Sequence, residues 1–492
     1  MSLWNHEHAP EPRDAAAVIL LRNGKRPEVL LVQRSDSMRF MPGHHVFPGG
    51  RVDEADGAVL VLGISSEEER RFIAAAAREV FEEGGILLAE GELPGEGVLD
   101  SARRALLAGE IDFATILDRH GLQLDGTRFI PAGQWTTPPI SPVRFRTHFY
   151  LVVDAFHPAG TALPEDGEIV GLDWVSPATA RDEWHGNTRK LSPPVAYILH
   201  QLERFSPVDA LPWLRAVPVD DGGVPMYFEF RRGIQMFPLQ SPTIPPATHT
   251  NTMIVGQEEF VIVDPGTDDD VERAFLLARI AHLEALGGVA IAIVLTHSHP
   301  DHVAAVEWLQ GERDVPVWAH RLTDSQVEFS VDRHLEDGEC VSLAGSPGWE
   351  IACHHTPGHD PGHLALLERS TRTLIGGDLV GNPGTIVVSP DWRGDMTDYL
   401  ASLKRCAELD FSMLIPAHGM PFFGRAGQEK LQQIHAHRLE REGKIKAALD
   451  DGANTMAELL SMAYADVAEE TWPLAEHQAR AHLVRLGVAL AE

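Results

Sequence analysis

The stretch Thr296-His297-Ser298-His299-Pro300-Asp301-His302 follows directly on the apolar run 290–295. Four potential metal ligands, His297, His299, Asp301 and His302, fall within six consecutive positions. The apolar run reads as a buried strand, whose end supplies a rigid edge that can aim these side chains at a common point. His297 and His299 alternate as in an extended segment, and Asp301 and His302 open a helix predicted over 301–310, with its positive N-terminal end beside them. The pattern reads as a dinuclear metal site.

Histidines also occur as solvated loop residues or satisfied core groups, and that reading leaves three further features unexplained. In chain order these are His359 in His355-Thr356-Pro357-Gly358-His359-Asp360-Pro361-Gly362-His363, Asp378 after Ile375-Gly376-Gly377, and His418 in Ile415-Pro416-Ala417-His418-Gly419. Together with the first stretch they resemble the HxHxDH signature of the metallo-β-lactamase superfamily. The resemblance implies a central αββα sandwich over 224–424 in which His297, His299 and His359 hold one metal and Asp301, His302 and His418 the other. Asp378 would bridge the two, and Asp301 would also be catalytic. Asp264, closing Phe260-Val261-Ile262-Val263-Asp264, would orient ligands. His354, His355 and His363 read as residues that orient the ligands or as structural ones. A His-rich, thiolate-free set suits two Zn²⁺ and is compatible with Fe or Mn. Persulfide oxygenation at a single iron needs fewer ligands, and His302 and His418 weigh against it.

The first two hundred residues carry a different chemistry. Two apolar segments, 15–21 and 29–32, flank Asn23-Gly24-Lys25 and predict a β-hairpin. Farther on, Ser66 with Glu69 forms a capping box and Gly84-Gly85 a stop for a helix that carries Arg78, Glu79, Glu82 and Glu83. The three glutamates are spaced i, i+3 and i+4, so they share one face. Gly50, Asp56 and the run from Arg78 to Ile86 resemble the Nudix box, with Asp in place of its first Glu and an insertion before Arg78. A Nudix α/β/α sandwich over 10–205 follows from that resemblance, with Mg²⁺ or Mn²⁺ on Glu79, Glu82 and Glu83, and catalysis by Glu82 and Glu83. Leu30-Leu31-Val32-Gln33-Arg34-Ser35, Arg39, Gly43 and Phe47-Pro48-Gly49-Gly50 are similar to the signature of Nudix coenzyme A diphosphatases, Val32 standing where that pattern has Thr. Arg34, Arg39, Gly49 and Gly50 are its candidate substrate-binding residues, because guanidinium forks fit phosphate oxygens. Arg34 and Arg39 serve equally well as surface ion-pair partners.

The whole chain has 492 residues, too many for one hydrophobic core, and 44% are hydrophobic. The proline-rich region 205–248 marks the join, with a linker at 206–223 and an expected strand at 226–230. Three cysteines without a CxxC pattern, and no basic-plus-apolar leader or membrane span, predict a cytoplasmic protein. A net charge of −31 opposes nonspecific binding of polyanions, though not a local basic groove. After His418 helices are predicted over 427–450, from the Thr455/Glu458 capping box, and over 476–490. This segment, 425–492, resembles the winged-helix tail of β-lactamase-like endoribonucleases, which makes single-stranded RNA a candidate partner. Arg438, Arg441, Lys444 and Lys446 are its candidate phosphate stripe, but the interleaved Glu440 and Glu442 favour an ordinary solvated helix face. A homodimer is compatible with the sequence.

The expectation is a bifunctional metal-dependent hydrolase. Its N-terminal half would be a diphosphatase of nucleoside diphosphate derivatives, including coenzyme A. Its second half would cleave a phosphodiester or, by likeness to glyoxalase II, a thioester such as a coenzyme A ester. The alternative is a single hydrolase, endoribonuclease-like, whose Nudix half binds a nucleotide without turning it over.

Overall fold

The strand Arg13–Arg22 is buried on both faces, and its side chains sort by parity. Ala16, Val18 and Leu20 join one core with Phe72, the alanines 74–77, Val80 and Phe81 of the helix Glu67–Gly84. Ala17, Ile19 and Leu21 join another with Ala180, Val195, Ile198 and Leu214 of the helices Pro177–His185, Pro193–Arg204 and Pro207–Arg215. The two-residue period thus builds helix, sheet and helix layers from one apolar run. In this computed structural model the sheet is mixed: Arg13–Arg22 pairs antiparallel with Glu28–Arg34 and parallel with Phe145–Val153. The structure describes residues 10–22, 27–38, 41–138, 141, 143–153, 157–158, 167–216, 227–245, 247–346, 348–382 and 384–490. The expected Asn23-Gly24-Lys25 turn and Arg39 lie outside them.

The chain divides into two compact units near residues 224–233. Where a linker was expected from 206, Ser206 instead caps the helix Pro207–Arg215, because Ala210, Leu211 and Leu214 give it an apolar face that the first unit buries.

The second unit stacks two sheets. One has seven strands, running from Phe228–Arg231 to Arg333–His334, and the other six, from Cys340–Leu343 to Phe422–Phe423. Leu276, Ile280 and Leu283 of the helix Asp270–Ala285 cover the first. Tyr399, Leu400 and Leu403 of Met396–Ala407, with Leu431 and Ile434 of Ala426–Asp450, cover the second. Each sheet is therefore sealed outside by helices and inside by its partner.

The tail continues with the helices Met456–Ala463 and Trp472–Leu486. The Thr455/Glu458 capping box forms as expected. The last helix starts four residues earlier than predicted and stops at Gly487, whose φ of 69° takes the left-handed cap. Among the described residues no strand follows Phe423, so they form no β-wing. No helix is long and apolar enough to cross a membrane, and all three cysteines are free.

Candidate functional site

The parallel strand Val289–Val294 ends in buried Leu295, Thr296 and His297. The expected helix over 301–310 breaks into Pro300–Val303 and Val306–Glu312. The break is held by partners outside the helix: Ala305 N–H donates to Pro265 O (2.8 Å), and Ala304 O accepts from Arg273 (3.0 Å). His359 lies beyond the strand Trp349–His355, Asp378 within Thr373–Asn382 and His418 within Met413–Gly419.

These elements bring all seven sequence-predicted residues into two adjacent groups. Ligand atoms of His297, His299, His359 and Asp378 lie within 4.8 Å of one another, and so do those of Asp301, His302 and His418. Asp378 faces both. Its Oδ2 is 3.1 Å from His359 Nε2, while its Oδ1 is 3.3 Å from His418 Nε2 and 3.6 Å from His302 Nε2.

Hydrogen bonds behind the rings set their orientation. His302 Nδ1–H donates to Asp264 Oδ2 (2.8 Å), His359 Nδ1–H to Val387 O (2.7 Å) and His418 Nδ1–H to His249 O (2.8 Å). Each acceptor lacks a proton, so each ring carries its own on Nδ1 and turns Nε2 inward; against burial, Asp264 raises the pKa of His302, and Asp378 that of His359 and His418, so a cation would take the place of a proton at each Nε2. His302 Nε2, His359 Nε2 and Asp378 Oδ1 are buried without a hydrogen-bond partner. Buried polar atoms are rarely left so, and inward-facing imidazole nitrogens around a carboxylate fit divalent cations. Burial holds His297 well below the usual histidine range, and burial with the neighbouring His359 pushes His299 down to about 4, so both are neutral donors at pH 7.

His363, expected to be a ligand-orienting or a structural residue, is of the first kind. Its Nε2 accepts from the Asp378 N–H (3.0 Å) while Nδ1–H donates to Thr356 Oγ1 (2.7 Å), and burial lowers it to about 3. It thereby fixes the backbone of the shared carboxylate. Gly377 explains the preceding Gly-Gly: its φ is 51°, and a Cβ there would lie 2.5 Å from His363 Nε2. Asp264 accepts from Thr296 N–H and from His302, as expected of an orienting residue. His354 and His355 belong to neither metal-ligand group; His355 stacks on His320 (4.1 Å) and bonds Pro361 O. The carbonyls of Val387 and His249 leave no mark in a sequence and were missed.

In the first unit Arg78 is the hub. It grips Asp56 through Nε (2.9 Å) and Nη2 (3.2 Å), and reaches Glu79, Glu82 and Arg51 O. Asp56 is 2% exposed and also caps Asp53 N–H (2.7 Å). The shorter acid and the insertion therefore still deliver a carboxylate to Arg78. The Ser66/Glu69 box forms by half: Ser66 accepts from Glu69 N–H, but the Glu69 carboxylate accepts from Tyr150 OH. Gly49 N–H donates to Glu83 Oε2 (2.9 Å), and a Cβ on Gly50 would lie 2.4 Å from Glu79 Oε1. Both glycines thus seat the carboxylates. Burial raises Glu79 to about 7 despite Arg78, and raises Glu82 and, well beyond the usual range, Glu83. Such a crowded acidic face is relieved by a hard cation. Arg34 is half-buried; burial lowers its pKa against the opposing charges of Glu83 and Glu168.

The tail contradicts the basic-stripe reading and, for two residues, the solvated-face reading. Arg438 and Arg441 are 3% and 6% exposed. Arg441 and Lys444 pair with Asp466 (2.7 and 2.8 Å), and Lys446 with Glu442 (2.9 Å). A cleft of about 920 Å³ opens on His299, Asp301, His359, Asp378 and His418 and continues past Ile244, Trp392, Val467 and Leu474 to Arg438 and Tyr464.

Residues 11–194 match the NUDIX domain and residues 245–418 the metallo-beta-lactamase superfamily. Beta-lactamase-like protein 2 homolog of Caenorhabditis elegans is 29% identical over 44% of this chain and 71% of its own. Acyl-coenzyme A diphosphatase NUDT19 of Homo sapiens is 28% identical over 40% of this chain and 70% of its own. Hydroxyacylglutathione hydrolase of Bdellovibrio bacteriovorus is 32% identical over 25% and 44%. Among solved structures, a beta-lactamase domain protein from Burkholderia ambifaria shares 22% identity over 55% of this chain and 91% of its own, with a TM-score of 0.45. The chain is a hydrolase that fuses a NUDIX domain to a domain of the metallo-beta-lactamase superfamily.

Proposed function

We propose that the second half hydrolyses an acyl thioester and the first half cleaves the diphosphate of a coenzyme A-type nucleotide. The observation that carries the thioester over a phosphodiester is the charge balance of the cleft. Arg441, Lys444 and Lys446 are neutralised by Asp466, Glu440 and Glu442 within the tail, so among the described residues three of the four cations of the expected stripe are already paired and do not offer a polyphosphate backbone a continuous track. Ile244, Trp392, Val467 and Leu474 add apolar surface to a wall that also carries polar side chains, Arg393 among them. The names of two relatives, an acyl-coenzyme A diphosphatase and a hydroxyacylglutathione hydrolase, fit the same pairing.

In this reading His297, His299 and His359 hold one cation, and Asp301, His302 and His418 the other, with Asp378 shared. Zn²⁺ suits these donors, and Mg²⁺ or Mn²⁺ suits Glu79, Glu82 and Glu83. Bound cations supply Lewis acidity, making water more acidic and stabilising negative charge on an acyl or phosphoryl oxygen. The chain's own part is positioning: Asp264 fixes the His302 tautomer, His363 the Asp378 backbone, and Gly49 the Glu83 carboxylate. In the thioester reaction water adds to the acyl carbon and the carbon–sulfur bond breaks. The products are a carboxylate, a thiol and one proton.

Mass spectrometry of products from acetyl-coenzyme A tests both halves. Thiol release abolished by His297→Ala, together with a bisphosphate product lost in Glu82→Gln, is the expected result. Intact acetyl-coenzyme A alongside cleavage of single-stranded RNA would reverse the assignment of the second half.

A further inference from the structure

Arg438 differs from every other tail cation. It is 3% exposed, yet its guanidinium donates only to neutral acceptors: Gln478 Oε1 (2.7 Å), Thr385 Oγ1 (2.8 Å) and Ile386 O (2.6 Å). The Tyr399 ring lies beneath it at 5.8 Å. Among the described residues no carboxylate pairs with it, whereas Arg441, one turn on, has Asp466. Its Nε is buried without a partner, and so is the hydroxyl of Tyr464, a side chain 5% exposed. Both residues line the cleft that reaches the candidate metal centre. A buried charge without a counter-charge is strongly unfavourable, and the unused Arg438 Nε–H and Tyr464 hydroxyl add to that. An oxyanion satisfies all three.

The backbone sets how far this lies from the reacting group. Arg438 holds the carbonyl of Ile386, and the next carbonyl, Val387, holds His359 Nδ1–H (2.7 Å). Successive residues advance about 3.5 Å, so guanidinium and imidazole lie at most roughly 10 Å apart. A chain of at most about five carbons from a carbonyl at the centre spans that, and it is shorter than a pantetheine arm. We propose that Arg438 and Tyr464 form an oxyanion subsite for the far end of the acyl group, so that the substrate is the half-thioester of a short dicarboxylic acid. This rests on the thioester reading of the same cleft.

The test compares glutaryl- and pentanoyl-coenzyme A, equal in length and different in terminal charge, by free thiol released. The wild-type protein is expected to favour glutaryl by tenfold or more in kcat/KM, chiefly through KM. Tyr464→Phe and Arg438→Gln are each expected to bring that ratio to within about threefold of unity. Equal rates on both esters, or a ratio unchanged in Tyr464→Phe, overturn the subsite and leave the thioester reading standing. A charge preference that disappears when coenzyme A is replaced by pantetheine moves the oxyanion to the thiol side and equally overturns it. If neither ester is cleaved the thioester reading fails, and calorimetric titration of the metal-loaded protein with glutarate decides the subsite. Saturable binding weakened tenfold in Tyr464→Phe sustains it, and no binding ends it. Arg438 also clamps Ile386, so Tyr464→Phe alone decides the subsite if Arg438→Gln does not fold.

Discussion

Asp264→Asn isolates the tautomer argument with one atom changed. In the wild type Oδ1 accepts from Thr296 N–H (2.7 Å), while Oδ2 accepts from Thr296 Oγ1–H (2.6 Å) and His302 Nδ1–H (2.8 Å). The backbone N–H cannot reverse, so the amide oxygen of the substituted side chain must take it. The amide NH₂ then occupies the Oδ2 position. The threonine hydroxyl rotates to accept, but His302 Nδ1 must give up its proton to accept as well. That proton moves to Nε2, the atom facing Asp378 Oδ1, and points an N–H where a cation should sit. Loss of such an orienting partner weakens metal binding by about 10–100-fold, or about 1.4–2.7 kcal/mol. The loss should fall on the group of Asp301, His302 and His418, leaving the other near wild type. Zinc titration against a chromophoric chelator, with metal counted per chain, measures both. Two ions bound within threefold of wild-type affinity would refute the reasoning.

Three further outcomes follow from the same geometry. Gly50→Ala places a methyl 2.4 Å from Glu79 Oε1, so diphosphatase turnover should fall at least about 100-fold with the fold retained, as circular dichroism checks. His363→Leu leaves the Asp378 N–H buried and unpaired, while the Thr356 hydroxyl keeps the carbonyl of residue 363; the expected cost is about 1–3 kcal/mol in denaturant unfolding of the second unit. Glu79 sits at about 7 when folded, above its unfolded value of about 4.5, so its contribution is full below pH 4.5 and lost as pH rises through 7. The metal-free first unit should therefore lose up to about 3 kcal/mol between pH 5 and 8. Mg²⁺ should restore it at pH 8, and Glu79→Gln should reduce the pH dependence in thermal melts, leaving the part that Glu82 and Glu83, also raised by burial, contribute with the same sign.

The two chemistries were legible because their ligands are covalently close. His297, His299, Asp301 and His302 need only a strand end to converge, and Glu79, Glu82 and Glu83 need only a helix. Local hydrogen-bonding rules then mark the ends of the helices Glu67–Gly84 and Met456–Ala463. The helix expected over 301–310 failed for the converse reason: Pro265 and Arg273, distant in sequence, take the backbone groups that would have continued it. The same holds for Pro207–Arg215, where a proline-rich composition conceals an apolar helix face.

The amino-acid sequence by itself determined the two families, the ligand run 297–302 and the carboxylate helix, since these depend on spacing along a single strand end, turn or helix, whereas His359, Asp378 and His418 were reached through the family resemblance. Only the tertiary structure decided how Asp378 faces both groups, how His363 and the carbonyls of Val387 and His249 orient the ligands, and which tail cations are neutralised. Those are relations between residues as far apart as Arg438 and Ile386. Spacing along the chain constrains neighbours, whereas charge balance and unpaired buried atoms exist only once distant segments have packed.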